Sequence, residues 1–562
     1  MKTYPLYQGP RQMADMQDFL KYVSAAYGQK PALSHRIKPS DKTAEVLSFT
    51  ALHTTVKAYA TACLKQGMAG KHCVLLGKLT LEWALTYFAL MSIGAVVVPL
   101  DKDWQKEDLL ATIQNADASF LFCDNDMTEK VNYITEGSGL SPIFFRGEGE
   151  TTATLIRQGQ VALEEGDQSY EQVSIDPNAL ALLVYTSGTT GQGKGVMLSQ
   201  NNLFSDIWGA LQILKAGEKT IAVLPPHHTF GSTIGILALL YYGSHVYLSS
   251  GIRYLPGEMK AEQPDFMILV PLYLETFARK IKAGLHEKGV EKLILGMMKV
   301  TRLLQKMGFR KVTGLYRSVM EAFGGKLNLV ACGGAPLSQE IIDFFDALGV
   351  KVLNGYGITE CSPLISCNRN CHRVNGSVGE HLPCDTLRIM DANAQGEGEI
   401  CVKGPNVMLG YYKNPTATKE AIDEEGFFHT GDMGKLDGQG HLYITGRIKN
   451  LIILSNGKNV YPEEIEVELG NIGGVLDVVV YEGESRRGME HNAIVAEFFM
   501  DQEYLKKKNI QNVEEYLATF VTEYNKTAVQ YKKIGITKIR TEEFPKNTLR
   551  KILRFKIDKT ID

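Results

Sequence analysis

Several things are scarce in this 562-residue chain, and each scarcity removes a class of protein. Charge of one sign is scarce: the net formal charge is −3, so nothing global points to nucleic acid as a partner. Cysteine is sparse and unpatterned. Cys63, Cys73, Cys123, Cys332, Cys361, Cys367, Cys371, Cys384 and Cys401 are scattered without a pairing rhythm, which reads as reduced and intracellular. Cys361, Cys367, Cys371 and His372 crowd together, but structural zinc sites favour paired Cys-x2–4-Cys spacings and only one gap here comes close, so ordinary core thiols are expected. Long apolar runs are also missing. The nearest, Trp83 to Leu100, contains Thr86, Ser92 and Gly94 and closes on Val-Val-Val-Pro, which suits a buried helix passing into a buried strand. The first twenty residues carry charge but no apolar h-region, so no secretory leader is expected. There is no internal repeat and no low-complexity stretch. These absences leave a cytoplasmic protein, with peripheral contact on the inner membrane face still open.

What is present is core: 44% of residues are hydrophobic, ample for a large buried interior. Apolar β-branched runs alternate with helical patterns from about residue 70 to residue 400, which implies α/β layering. Val74–Leu76, Ala95–Val98, Leu180–Tyr185, Thr220–Leu224, Met267–Val270, Leu327–Ala331 and Val352–Leu353 are the strand candidates. From Glu397 to Gly446 the chain turns glycine-rich with short strands at Glu399–Lys403 and His441–Thr445, a small β-rich subdomain. Thr445 to Asn450 reads as a connector to a compact, basic α/β unit, giving expected divisions at 1–447 and 448–562.

The densest chemistry lies in Tyr185-Thr186-Ser187-Gly188-Thr189-Thr190-Gly191-Gln192-Gly193-Lys194-Gly195. Its glycines let backbone N–H groups close on an anion, and its hydroxyls and lysine add donors suited to phosphate oxygens. Gly188 to Lys194 fits the first seven positions of G-x-x-x-x-G-K-[ST], but the eighth is Gly195, so the hydroxyl that would hold Mg2+ is missing. Val-Met-Leu follows, which favours strand where a Walker loop needs a helix N-terminus; Ser199 is an N-cap that arrives too late. A P-loop NTPase and a plain solvated turn both remain as alternatives.

With Val196-Met197-Leu198-Ser199 added, the loop resembles the phosphate-binding signature of the AMP-forming acyl-CoA synthetase and adenylation-domain superfamily. It departs from that pattern at Gly193, where proline is usual, and at Gln200, where histidine is common. The resemblance continues in order along the chain. Leu224-Pro225-Pro226-His227-His228-Thr229-Phe230-Gly231 resembles the second core, with His228 at the gating position. Ala331-Cys332-Gly333-Gly334-Ala335-Pro336-Leu337 resembles the turn lying along acyl group and adenine. Asn354-Gly355-Tyr356-Gly357-Ile358-Thr359-Glu360 offers a flat ring for a purine, a hydroxyl for the α-phosphate and, in Glu360, a hard oxygen for Mg2+. His429-Thr430-Gly431-Asp432 supplies a carboxylate for the ribose hydroxyls, with Arg447 as the second ribose contact. Pro545-Lys546-Asn547-Thr548-Leu549-Arg550-Lys551-Ile552 is similar to the C-terminal catalytic-lysine motif, although Leu549-Arg550 stands where Ser-Gly is frequent.

The resemblance implies a large N-terminal body of layered α/β subdomains plus a β-rich subdomain, followed by a small mobile α+β domain. It implies ATP, Mg2+ and CoA, and activation of a carboxylic acid as acyl-AMP. The implied catalytic residues are Lys551, Thr359, Glu360 and His228. The implied nucleotide contacts are Thr186, Ser187, Gly188, Thr189, Thr190, Gly191, Lys194, Gly333, Gly334, Ala335, Asn354, Gly355, Tyr356, Gly357, Asp432 and Arg447. Lys449 falls at the hinge, and Gly457 and Lys458 on a loop that would swing toward CoA.

Two features bear on the substrate. Gly231, Gly235 and Ala238 fall at i, i+4 and i+7 after His228, leaving one helix face bare enough for an alkyl chain, or for close helix packing. No acidic residue stands near Phe230 to pair an amino group, which favours a fatty acid over an amino acid. Between Arg279 and Arg317 eleven Lys/Arg face only Glu287 and Glu291, with Leu293, Met297, Val300, Leu303 and Leu304 interleaved. Such a stretch suits an anionic membrane surface or a solvated helix face, and an extension here resembles the long-chain synthetases. The acceptor is CoA or the pantetheine of acyl carrier protein.

Overall fold

A computed structural model describes residues 5–7, 9, 11–186, 193–287, 289–306, 316–453, 459–484, 493–546 and 551–561. Its largest sheet has seven strands in the order Gly410–Tyr411, Lys194–Ser199, Leu180–Thr186, Val96–Leu100, His72–Leu76, Phe120–Cys123 and Pro142–Phe144. The five strands from Leu180–Thr186 onward run parallel, and parallel strands covered on both faces read as continuous apolar runs. Val96–Leu100 is buried at every position. The helix before it, Leu81–Met91, is capped by the Thr80 hydroxyl accepting from the Trp83 N–H, and every residue but Glu82 is buried. That is the expected helix-to-strand passage. Among the described residues no helix is long and apolar enough to cross a membrane.

A five-stranded sheet, Phe266–Leu269, Leu329–Cys332, Lys351–Gly357, Leu364–Cys367 and Glu380–His381, begins parallel and ends antiparallel. A four-stranded sheet joins Glu45–Ser48, Pro31–His35, His245–Leu248 and Lys219–Ala222. One hydrophobic cluster spans all three sheets, from Met13 to Leu442. Full burial of one Leu, Val or Phe of this cluster contributes roughly 1.5–3 kcal/mol, so Leu182 or Val97 replaced by Asp would leave a buried unpaired charge and break the layer.

The glycine-rich stretch forms the expected β-subdomain, an antiparallel sheet of Thr386–Met390, Gly398–Lys403, Phe428–Leu436 and Leu442–Arg447. The last strand runs on through Arg447, so much of the expected connector is strand, followed by a 3-10 turn at Ile448–Asn450. Beyond it lies a three-stranded sheet, Val475–Glu482, Ile494–Met500 and Ile536–Arg540, flanked by helices Pro462–Leu469 and Val513–Thr527. Two hydrophobic clusters there draw only on residues from Ile452 onward.

Candidate active site

The strands flanking the loop expected to hold phosphate lie side by side. Strands Leu180–Thr186 and Lys194–Ser199 pair antiparallel, with Thr186 opposite Lys194, and the Thr186 hydroxyl donates to the Lys194 carbonyl at 3.4 Å. Ser187, Gly188, Thr189, Thr190 and Gly191 at the tip lie outside the described residues. Strand rather than helix follows the loop, and the Ser199 hydroxyl then caps Gln200–Ile213 by accepting from the Asn202 N–H. A Cβ at Gly193 would sit 2.7 Å from the Thr186 carbonyl oxygen, so this backbone leaves no room for the proline usual there.

Lys194 carries its ammonium 4.5 Å above the ring of Tyr411, whose hydroxyl donates to Glu360 Oε1 at 2.9 Å. Tyr411 thus ties the lysine of one strand to the carboxylate of another element, and sequence reasoning missed it. Its local signal is weak: what brings it in is the two-residue strand Gly410–Tyr411 pairing with Lys194–Ser199. Glu360 stands on a 3-10 turn, Thr359–Cys361, and its carbonyl accepts from the Met408 N–H at 2.8 Å.

The residues expected to face the nucleoside lie where parallel strands Leu329–Cys332 and Lys351–Gly357 finish side by side, Cys332 opposite Asn354, as expected for a ligand crevice in such a sheet. The turn Gly333-Gly334-Ala335 follows the first strand. A Cβ at Gly333 would meet the Gly355 carbonyl at 3.1 Å, and at Gly357 the Pro363 carbonyl at 2.0 Å, so both glycines are needed for close backbone approach. Asn354 Oδ1 is buried with no hydrogen-bond partner among the described residues, an acceptor suited to an amino group such as a purine's.

Asp432 is buried at the centre of this end, on the strand beside Arg447 and directly opposite it. Its Oδ1 accepts from Arg447 Nε at 2.6 Å and its Oδ2 from the Tyr356 hydroxyl at 2.7 Å. The carboxylate expected to receive two ribose hydroxyls therefore already holds one donor on each oxygen, with one lone pair on each left over. Burial works against the Arg447 charge, but Asp432 outweighs it and the guanidinium is held more firmly protonated than usual. Burial and the Asp432 charge push the Tyr356 phenol well up, so its hydroxyl stays a donor.

His228 is half-buried beside His227, their rings 4.3 Å apart. Desolvation, with repulsion from His227, draws its pKa down to about 3 against the pull of Asp101, so the imidazole is neutral at pH 7. The segment after it departs from expectation. Phe230–Leu237 is a π-helix, continued by an α-helix over Ala238–Tyr242. Its i→i+5 hydrogen bonds widen each turn, so Gly231, Gly235 and Ala238 no longer line up on one face. A Cβ at Gly231 would sit 2.2 Å from the Pro225 carbonyl, so that glycine serves close packing. Ala238 is buried, and only Gly235 meets nothing but its own turn, the Phe230 carbonyl at 3.3 Å.

Lys551 approaches from the C-terminal region, where a bridge between Lys546 and Ile552 and the Leu553 N–H donating to the Pro545 carbonyl at 2.8 Å hold its segment. Lys546 anchors it by donating to Asp477 at 2.7 Å and Glu543 at 2.9 Å. Lys551 meets the water of the cleft, yet the protein gathered around it draws its pKa down to about 8. Desolvation is the main cause; Arg447 and Arg554 push the same way, and Asp432 and Glu463 oppose them. Lys551 thus comes within electrostatic reach of the Asp432–Arg447 pair. Lys449 is exposed on its 3-10 turn; Gly457 and Lys458 lie outside the described residues. Cys361, Cys367, Cys371 and His372 form no metal-ligating group among the described residues.

A profile of the AMP-binding enzyme family matches residues 20–412. The chain belongs to that family. It is 29% identical to the long-chain-fatty-acid–CoA ligase FadD15 of Mycobacterium bovis, over 74% of this chain and 71% of that one. It is 30% identical to the probable acyl-activating enzyme 16, chloroplastic, of Arabidopsis thaliana, over 72% and 67%. Its fold is similar to ATP-bound MatB from Rhodopseudomonas palustris, with a TM-score of 0.74 at 23% identity over 96% and 97% of the chains. It is also similar to MenE from Bacillus subtilis in complex with ATP and magnesium ion, with a TM-score of 0.70 at 20% identity over 96% and 98%. This member of the family is an adenylate-forming acyl-CoA ligase, with ATP as substrate and CoA as co-substrate.

Proposed function

We propose that this acyl-CoA ligase activates a medium- to long-chain fatty acid, and that the constellation from Lys194 through Glu360 and Asp432 to Lys551 carries the adenylation. The observation that carries this reading is the convergence of Lys551 on Asp432 and Arg447 from a distant part of the chain. A carboxylate approaching the α-phosphate brings two anions together, which at about 4 Å and an effective dielectric near 20 costs about 4 kcal/mol. Lys551 offsets that charge at the reacting phosphorus, and Lys194 and the loop from Thr186 to Gly191 hold the departing pyrophosphate. Thr359 offers a hydroxyl to the α-phosphate. Asp432 and Arg447 fix the ribose, while Asn354, Tyr356 and the glycines 333, 334, 355 and 357, with Ala335, line the base. The contribution is positioning and charge neutralisation, with no side-chain nucleophile.

Glu360 suits Mg2+: it is a hard oxygen donor with one oxygen engaged by Tyr411 and the other available, and a single carboxylate fits an ion that keeps water and phosphate ligands. Bound there, the ion would neutralise phosphate charge.

The apolar π-helix Phe230–Leu237 beside the neutral imidazole of His228 supports an apolar acid. The relatives named above as long-chain-fatty-acid–CoA ligase and acyl-activating enzyme support the same class. We place the division of the chain at 1–447 and 448–562, with Lys449 as hinge, so that the second body can exchange Lys551 for the Gly457–Lys458 loop when CoA attacks. The acceptor is CoA rather than acyl carrier protein. Exposed Leu293 and Val300, beside exposed Lys292 and Lys299, support peripheral contact of 279–317 with anionic lipid, tested by liposome flotation with those lysines reversed.

The deciding experiment is a screen of AMP and pyrophosphate release across acyl chain lengths, with and without CoA. Fatty acids should release AMP, and CoA should convert the adenylate to thioester. ADP as product, or no response to any fatty acid, would overturn the reading.

A further inference from the structure

We propose that Glu399, Cys401 and His429 form a binding site for a borderline-soft divalent ion of the zinc class, and that its occupancy weakens nucleotide binding. The second half rests on the reading that Asp432 holds the ribose; the first does not.

Strands Gly398–Lys403 and Phe428–Leu436 pair antiparallel with Cys401 directly opposite His429. The register shifts between Glu399 and Cys401, and across that irregularity the Glu399 carboxylate still reaches His429 Nδ1. The ligand atoms of the three residues all lie within 4.8 Å of one another. His429 Nδ1 is 3.4 Å from Cys401 Sγ and 2.7 Å from Glu399 Oε2. A carboxylate oxygen and a thiol sulfur thus converge on one ring nitrogen, and Nδ1, holding at most one proton, can donate it to only one of them. A metal centre serves both. The other ring nitrogen, Nε2, faces Asp423 Oδ2 at 3.6 Å, an ion-pair distance from which the carboxylate could close to orient a metal-ligating imidazole.

Thiolate, imidazole and carboxylate together select zinc-like ions over Mg2+ or Ca2+, and three protein ligands leave a fourth position for water. Bonds of about 2.3 Å to sulfur and about 2.0–2.2 Å to nitrogen and oxygen put neighbouring tetrahedral ligands roughly 3.4–3.6 Å apart. The Cys401–His429 spacing already meets this. The Glu399–His429 spacing must open slightly. Binding displaces the Cys401 thiol proton to water, with a second proton from His429 when it is charged. The His429 side chain is 31% exposed, which gives the ion a way in.

Glu399 links this site to the nucleotide. Its Oε1 accepts from the Gly431 N–H at 2.9 Å, and Gly431, at φ 69°, turns the chain into Asp432. Opening the Glu399–His429 contact pulls on that turn and shifts the carboxylate held between Arg447 and Tyr356.

The test titrates metal-free full-length protein with Co2+ as the spectroscopic probe. A thiolate-to-cobalt charge-transfer band should saturate at one ion per chain, vanish in Cys401→Ser and Cys401→Ala, and be displaced by Zn2+. Asp423→Asn should weaken Co2+ affinity about tenfold while leaving the band's shape unchanged. Zn2+ should raise KM for ATP in carboxylate-dependent AMP release about tenfold (~1.4 kcal/mol), in wild type and not in Cys401→Ser. No thiolate band, or a band undiminished in both Cys401 variants, would overturn the site. A Cys401-dependent band with an unmoved KM would overturn the link to nucleotide. The band needs no activity, so it decides the site even where the proposed reaction fails.

Discussion

The ribose end and the lysine arm of this site hold their charges in opposite ways. Asp432 and Arg447 are cross-strand neighbours in one sheet, joined at 2.6 Å, with Tyr356 closing the other side of the carboxylate. Their geometry follows from strand register. Lys551 instead reaches the same place from another sheet's neighbourhood, its segment anchored by Lys546 on Asp477 and Glu543. There the surroundings disfavour the charge, pulling the ammonium down to about 8. A pre-paired end suits a job done throughout the cycle, and a cation held at a cost suits one done in a single step, when a developing anion relieves it.

The comparison breaks most sharply at Lys551→Ala. Acyl-AMP formation should fall by roughly two to three orders of magnitude, the effect of removing a transition-state charge partner, while thioester formation from preformed acyl-AMP stays near wild type. Single-turnover assays of each half-reaction measure the split, and equal losses would refute the division of labour. Asp432→Asn should instead weaken nucleotide use in both halves, lowering kcat/KM for ATP roughly 30- to 160-fold, as losing a charged hydrogen bond of about 2–3 kcal/mol implies. If KM for ATP is unmoved, the ribose role fails.

The pH profile sharpens the contrast. Lys551 is charged below its pKa of about 8 and neutral above it. Adenylation kcat/KM, which reports the free enzyme, should therefore fall about tenfold per unit as pH rises beyond 8. Lys551→Arg should carry that limb out of range, because a guanidinium keeps its proton. A flat profile to pH 10 in wild type would show that the charge is not used. The smallest effect is expected at Lys546→Met, which frees the segment bearing Lys551 without touching the Asp432–Arg447 pair. Adenylation should slow about tenfold (~1.4 kcal/mol) with KM for ATP unchanged, and Lys546→Arg should restore most of it.

The layered α/β body was legible because its strands are continuous apolar runs, and the helix-to-strand passage ending in Val96–Leu100 followed from burial on every side. The strand after the phosphate loop and the Ser199 cap were readable from local residue types. Tyr411 was not, since its place between Lys194 and Glu360 depends on the pairing of a two-residue strand more than two hundred positions from its partner. The face inferred from Gly231, Gly235 and Ala238 assumed α-helical spacing, and the π-helix changes that spacing.

Sequence alone determined the chemistry on offer: a glycine- and hydroxyl-rich loop ending in Lys194, a carboxylate at Glu360, another at Asp432 and a basic C-terminal motif around Lys551. These are properties of residue type and near-neighbour spacing, which a chain displays before it folds. Tertiary structure alone decided which groups meet. Asp432 with Tyr356, Lys551 with Arg447, and His429 with the neighbouring Glu399 and Cys401 are far apart along the chain, and strand register and the docking of separate cores bring them within bonding or electrostatic reach.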